Sequence, residues 1–158
     1  MHLRRVIYLR EKKKLNNDNS IVYTLHGDGE LQEGQVWEAA MYAAHNKVDS
    51  LIATVDVNGR QIDGDVADVL SLQDLGAKWR AFGWETYEVD GHNVNELEET
   101  FLLSQSGPKA IIAHTVKGKG VSLARMPIMV DRINIPPIRC RVTMTGLRSQ
   151  VTVNMPSA

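Results

Sequence analysis

The sequence holds a single cysteine, Cys140, among its 158 residues. One thiol closes no internal disulfide and nucleates no cysteine-based metal cluster, so the expected compartment is a reducing, cytoplasmic one. No apolar run approaches the roughly 20 residues of a membrane span. The only apolar patch near the start is Val6 to Leu9, too short for the hydrophobic region of a signal peptide. Aromatic residues amount to 6%, and Tyr8 alone accompanies the basic residues of the first segment. A nucleic-acid surface built on stacking has no support here. Proline is equally scarce until late: four of the five, Pro127, Pro136, Pro137 and Pro156, lie beyond residue 121.

What is present describes an ordinary globule, with 43% hydrophobic and 23% charged residues, in a length that suits one domain with a real core. The net charge of −1 is unevenly spread. Residues 1–20 carry six basic and two acidic residues, residues 121–158 five and one, and the middle hundred seven and sixteen. Both ends therefore differ from the centre. The expected division is a basic segment at 1–18, an α/β domain at 19–122 and an atypical Pro/Arg-containing tail at 123–158. The first segment, with Lys12-Lys13-Lys14, reads as a solvated helix rather than a nucleic-acid or membrane arm. In the tail no aromatic residue and no convincing period occur. Disorder, a divergent extension, an altered reading frame and a truncation product all stay open there.

The centre is organised around His26 to Gly64. Ile21-Val22-Tyr23-Thr24-Leu25-His26 is apolar, β-branched and ended by glycine, which predicts a buried strand. Asp28 follows between Gly27 and Gly29, where the backbone can turn sharply and approach a ligand. From Glu33 onward Trp37, Ala40, Met41 and Ala44 repeat at helical spacing, predicting a helix from Gln35 to Lys47 with those residues on its buried face. Leu51 to Val55 predicts the next strand, with Asp56 and Asn58 at its end. In a parallel sheet both turns emerge at the same edge, where ligands of such folds bind. A carboxylate, an amide oxygen and a backbone carbonyl make a partial oxygen set for a hard cation. Mg²⁺ would need phosphate oxygens or water to complete it. The free N–H groups of the helix beginning near Glu33 favour the same phosphate.

Gly27-Asp28-Gly29, followed thirty residues later by Asn58, resembles the thiamine diphosphate motif. Gly27-Asp28-Gly29-Glu30-Leu31-Gln32-Glu33-Gly34 with Ile62-Asp63-Gly64 resembles more specifically the amino-terminal section of transketolases. The likeness continues through Ala81-Phe82-Gly83-Trp84, Val89-Asp90-Gly91-His92 and Thr115-Val116-Lys117-Gly118-Lys119-Gly120, and covers about Asn19 to Ser122. It implies a thiamine diphosphate-binding fold, the diphosphate-binding domain only, in which Asp28 and Asn58 give side-chain ligands to Mg²⁺ and Arg60 its main-chain carbonyl. Gly27, Gly29 and Glu30 would line the diphosphate. Glu33 resembles the acidic residue under the cofactor that faces a partner chain, and Lys117 a lysine reaching the cofactor site; both carry the catalytic assignment. The implied activity is transfer of a two-carbon ketol unit from a ketose phosphate to an aldose phosphate, a step of pentose phosphate metabolism. It would require a pyrimidine-binding domain from a second, carboxyl-terminal transketolase subunit or from a homo-oligomer.

Other readings stand beside this one. Asn58-Gly59 is also a two-residue hairpin signal, which would make Leu51 to Ile62 antiparallel and leave no cation site. Trp37 and Met41 read as core, and Glu33 as a helix-start acid. His92 and His114 read as structural. The small-residue segment that transketolases carry ahead of the motif is absent, as is their Trp-His-Gly segment beyond Ser122. A non-catalytic cofactor-binding module, a nucleic-acid-binding domain and a deoxyxylulose-phosphate-synthase-like enzyme are therefore the alternatives. Leu31-Gln32-Glu33-Gly34 speaks against the last. After Gly64 the pattern predicts a loop at Val66–Ser71, a helix at Leu72–Phe82, a strand at Trp84–Val89, a helix at Asn93–Ser104 capped by Asn93, and a strand at Ala110–His114. The whole is βαβαβαβ, a parallel sheet with helices on both faces.

Overall fold

The computed structural model describes residues 20–120, and the expectations for the basic segment and for the tail fall outside the described residues. Strands β1 (Val22–Gly27), β2 (Leu51–Val57), β5 (Glu85–Asp90) and β6 (Lys109–His114) form one sheet in the order β1-β2-β6-β5. Every pair in it is parallel. The helices are α1 (Gly34–His45), α2 (Val66–Leu70), α3 (Leu75–Ala81) and α4 (Val94–Leu102). A short antiparallel ladder joins β3 (Arg60–Gln61) to β4 (Gly64–Asp65). The α/β class and the helices on both faces are as the pattern predicts.

The period of two along the strands sorts the core into two layers. Leu51, Ala53 and Val55 of β2, with Ala110 and Ile112 of β6, meet Val36, Ala39, Ala40 and Ala43 of α1 and Leu75 and Trp79 of α3. Ile52, Val89, Ile111 and Ala113 point the other way, toward Leu97 and Phe101 of α4. Trp79 is fully buried, edge-on to Trp84 at 4.6 Å between ring centroids, and the Trp84 indole N–H donates to the Ala40 carbonyl at 2.9 Å. At the foot of the sheet the fully buried Lys109 ammonium donates to the Thr100 and Leu103 carbonyls at 3.1 and 2.6 Å. It thereby satisfies carbonyls that end α4, while burial holds its pKa below the ordinary lysine value.

Several expectations are corrected. Val66–Leu70 is a helix rather than a loop. The helix expected from Leu72 starts at Leu75, because the Asp74 carboxylate accepts from Ala77 N–H at 2.7 Å and caps it. The inward face of α1 is Val36, Ala39, Ala40 and Ala43, so Met41 is exposed; Trp37 stays half-buried against Trp79 and Phe82. The face lies one position off because alanines, small enough for close approach to the sheet, occupy it. Among the described residues β1 lies at the edge of the sheet rather than buried within it, with Tyr23 and Leu25 at 57% and 73% exposure. The hairpin reading of Asn58-Gly59 fails, since β2 pairs in parallel with both neighbours.

Trp79→Ala is expected to lower the unfolding free energy by about 3–5 kcal/mol, measured by urea denaturation; a loss under about 1 kcal/mol would contradict its place at the centre of this layer. Glu85 provides a second test. Its carboxylate accepts from Ser106 N–H, Ser106 Oγ–H and Gly107 N–H at 2.8, 2.9 and 3.2 Å, and the Ser106 backbone donor, foremost, holds its pKa below the ordinary 4.5. A carboxyl lowered in the folded state contributes stability above its unfolded value, and that contribution is lost as pH falls through the folded one. The urea midpoint should therefore drop as acidity passes below about pH 4.5, and Glu85→Gln should flatten that part of the drop. An unchanged acid slope in the variant would count against it.

Candidate functional site

The sheet order creates the site. From β1 to β2 the chain steps one way across the sheet; from β5 to β6 it steps back. The two directions meet between β2 and β6, and the crevice outside the carboxyl ends of the strands at such a reversal is where ligands of open α/β sheets bind. Asp56 lies near the end of β2 and Thr115 follows β6, one on each side of that crevice. Asp28 follows β1 at the same edge.

Asp28 is buried, at 2% exposure. One carboxylate oxygen accepts from Gly29 N–H at 2.8 Å and the other from Gly59 N–H at 2.7 Å, across thirty-one residues of sequence. Gly59 turns its N–H to that task at φ +73°, a conformation that favours glycine. The Asp28 N–H in turn donates to the Asp56 carbonyl at 3.2 Å. No cation pairs with the Asp28 carboxylate among the described residues. A buried carboxylate that accepts from two N–H groups among the described residues retains lone pairs for a further donor or a metal ion.

Asn58 is half-buried beside it. Its amide nitrogen donates to Asp56 Oδ2 at 2.9 Å, and its amide oxygen accepts from Arg60 N–H at 3.0 Å. The Arg60 side chain turns away to Asp65 at 2.5 Å, so a role for Arg60 in the site falls to its main chain. Gly27, at the end of β1, pairs with Asp56. Glu30 sits in the single 3-10 turn Gly29–Gln32, its carboxylate 3.3 Å from Nδ1 of the buried His26, whose Nε2 lies 3.0 Å from the Thr24 hydroxyl. Glu33 precedes α1 and makes no side-chain capping bond, leaving its exposed carboxylate uncommitted to the helix start. Lys117 is exposed in the turn after β6. That turn is tied down at its start: the Thr115 hydroxyl donates to Asp56 Oδ1, Thr115 N–H donates to the Val57 carbonyl, and Val116 N–H donates to His92 Nε2 at 2.8 Å. His92 Nε2 thus holds the turn by accepting from Val116 N–H, whereas His114 is exposed and faces Glu88.

The structure brings Asp28, Gly29, Asn58, Gly59 and Arg60 together; among the described residues no side-chain hydrogen bond or ion pair joins Glu33 or Lys117 to them. Asp56 and Thr115 belong to the same network, and neither stands out as a site residue in the sequence. The Asp-Val-Asn spacing is a signal for Asp56, since alternate residues near a strand end share a side. Thr115 opens the Thr115-Val116-Lys117-Gly118-Lys119-Gly120 segment, but nothing in the segment points to its bond with Asp56. The described residues hold no group of three or more His, Cys, Asp or Glu able to bind a metal alone, and no helix among them is long and apolar enough to cross a membrane.

Comparison with known proteins bears on the family and the fold. Residues 6–127 match the family described as transketolase, thiamine diphosphate binding domain. The 6-deoxy-6-sulfo-D-fructose transketolase subunit SqwG of Clostridium sp. (strain MSTE9) is 46% identical over 106 residues, covering 65% of this chain and 38% of that protein. An apulose-4-phosphate transketolase subunit of Phocaeicola vulgatus is 39% identical over 112 residues, 69% of this chain and 40% of that one. Human transketolase is 46% identical over 102 residues, 64% of this chain but 16% of its own length. Among solved structures, Campylobacter jejuni transketolase superposes with a TM-score of 0.55 at 28% identity, over 66% of this chain and 17% of that one. A transketolase from Pichia stipitis gives 0.57 at 29%, over 61% and 15%. The chain thus spans about two-fifths of the subunit relatives and about a sixth of the larger enzymes. With the family matched over most of its length and the same fold at its centre, the chain belongs to the transketolase family, as its amino-terminal, thiamine diphosphate-binding domain.

Proposed function

We propose that this chain is the cofactor-holding section of a transketolase, binding thiamine diphosphate through Mg²⁺. The observation that carries the reading is the buried Asp28 carboxylate, held by two backbone N–H groups and with no cation partner among the described residues, 31 residues in sequence from the glycine that completes its cradle. Asp28 and the Asn58 amide oxygen supply side-chain ligands, and Arg60 supplies its carbonyl. All are hard oxygen donors, fewer than Mg²⁺ requires, which fits a metal completed by diphosphate oxygens and water. Gly27, Gly29 and Glu30 border the diphosphate. Glu33, free of any capping role, is the acidic residue offered toward a partner, and Lys117, exposed in the turn that Thr115 anchors, is available to the cofactor once it is bound.

Bound thiamine diphosphate supplies the carbanion-stabilising chemistry for moving a two-carbon ketol unit from a ketose phosphate to an aldose phosphate. This chain's residues bind and orient the diphosphate end. The pyrimidine-binding domain comes from a second polypeptide or from another part of the assembly, a reading supported by two relatives that are named as transketolase subunits. The cytoplasm is the proposed setting. Because the chain spans only 38–40% of those relatives, a cofactor-binding module without turnover is the second reading.

Asp28→Asn removes the one carboxylate of the metal set and should weaken Mg²⁺-dependent thiamine diphosphate binding by about tenfold or more, read by calorimetric titration; unchanged affinity would remove Asp28 from the site. Supplying a pyrimidine-binding transketolase chain together with sugar phosphates separates the two functional readings. Ketol transfer that depends on both chains supports the split enzyme, and tight binding without turnover supports the module.

A further inference from the structure

Asp56 carries no part in the cation set and yet binds three residues around the crevice. Its backbone carbonyl accepts the Asp28 N–H, its Oδ2 accepts the Asn58 amide N–H, and its Oδ1 accepts the Thr115 hydroxyl. Among the described residues no lysine or arginine pairs with it. Resting on the cofactor reading above, we propose that Asp56 is a positioning residue of the cation site: clamped by Thr115, it sets the Asn58 amide so that the amide oxygen, and not the nitrogen, is offered to Mg²⁺.

The chemistry of the partners allows only this orientation. A carboxylate accepts and cannot donate; a backbone N–H donates and cannot accept. With Asp56 on one side of the Asn58 amide and Arg60 N–H on the other, a flipped amide would set oxygen against carboxylate and N–H against N–H. Without Asp56 that penalty is halved, and the amide rotates with acceptor and donor ends of similar size. The Thr115 bond fixes the carboxylate itself, reaching across fifty-nine residues from the far side of the crevice. Gly91 leaves room for that side chain, since a Cβ at Gly91 would stand 2.5 Å from Thr115 Cγ2, and its N–H donates to the His114 carbonyl at 2.8 Å. Three strand ends, those of β2, β5 and β6, thus converge on the orientation of one amide.

The test is a double-mutant cycle read as Mg²⁺ affinity in the presence of thiamine diphosphate, by calorimetric titration of the full chain. Asp56→Ala should weaken Mg²⁺ binding by about ten- to a hundredfold, the range for partners that orient a metal ligand. Asp56→Asn should stay within about threefold of the parent, because its carbonyl still accepts from Asn58 and the Thr115 hydroxyl can turn to accept from the new amide. In an Asn58→Ala background, Asp56→Ala should weaken binding no further, because its effect runs through Asn58. Should Asp56→Ala fail to fold by circular dichroism, Thr115→Val takes its place in the cycle, with a smaller loss that likewise vanishes in Asn58→Ala. Parent-like affinity in Asp56→Ala, or losses that multiply in the double variant, would overturn the positioning role while leaving the cofactor reading intact. No Mg²⁺-dependent binding by the parent chain would overturn the cofactor reading and the inference together.

Discussion

The hydrogen bond from Gly59 N–H to the Asp28 carboxylate, 2.7 Å long, joins the turn after β1 to the turn after β2. A bond to a buried charged acceptor is worth about 1.5–3 kcal/mol net, more than a neutral turn bond, and breaking it strands a carboxylate in the interior. It can form only because β1 and β2 lie side by side in parallel, with Gly27 opposite Asp56, and because Gly59 adopts a positive φ. Parallel pairing in turn requires the crossover through α1, whose alanines let it lie close on the sheet. The site and the fold are therefore coupled: the same helix that packs the core brings the two polar turns to one edge.

The second organising feature is the reversal of strand order between β2 and β6. It places α4 on the opposite face from α1 and α3 and opens the crevice that Asp56 and Thr115 span. Among the described residues β1 has no strand on its other side, and Tyr23 and Leu25 are exposed. Tyr23 finds a partial partner in Phe101 of α4, edge-on at 5.8 Å.

Much of this is legible in the residues. Gly-Asp-Gly and Asn58, each after an apolar run, put two polar turns on one edge, and the alternation of periods implies a parallel α/β sheet with covered faces. What is less legible has physical causes. The face of α1 is easily misjudged at Met41 because large residues dominate a periodic pattern, whereas alanines make the actual contact. β1 reads as buried because the apolar content of a strand does not tell an edge from a centre. The start of α3 follows its Asp74 cap rather than its first apolar residue. Asp56 is visible but overshadowed by its neighbour Asn58, and Thr115, fifty-nine residues away, is tied to it only by the sheet register.

Everything proposed for this chain depends on the Asp28 cradle holding a metal-bridged diphosphate, and the most direct measurement is calorimetric titration of the chain with thiamine diphosphate, in Mg²⁺ and in excess chelator. Saturable binding in Mg²⁺ that disappears in chelator is the predicted result. Binding of equal strength in both solutions, or none in either, would contradict a cation held between Asp28 and Asn58.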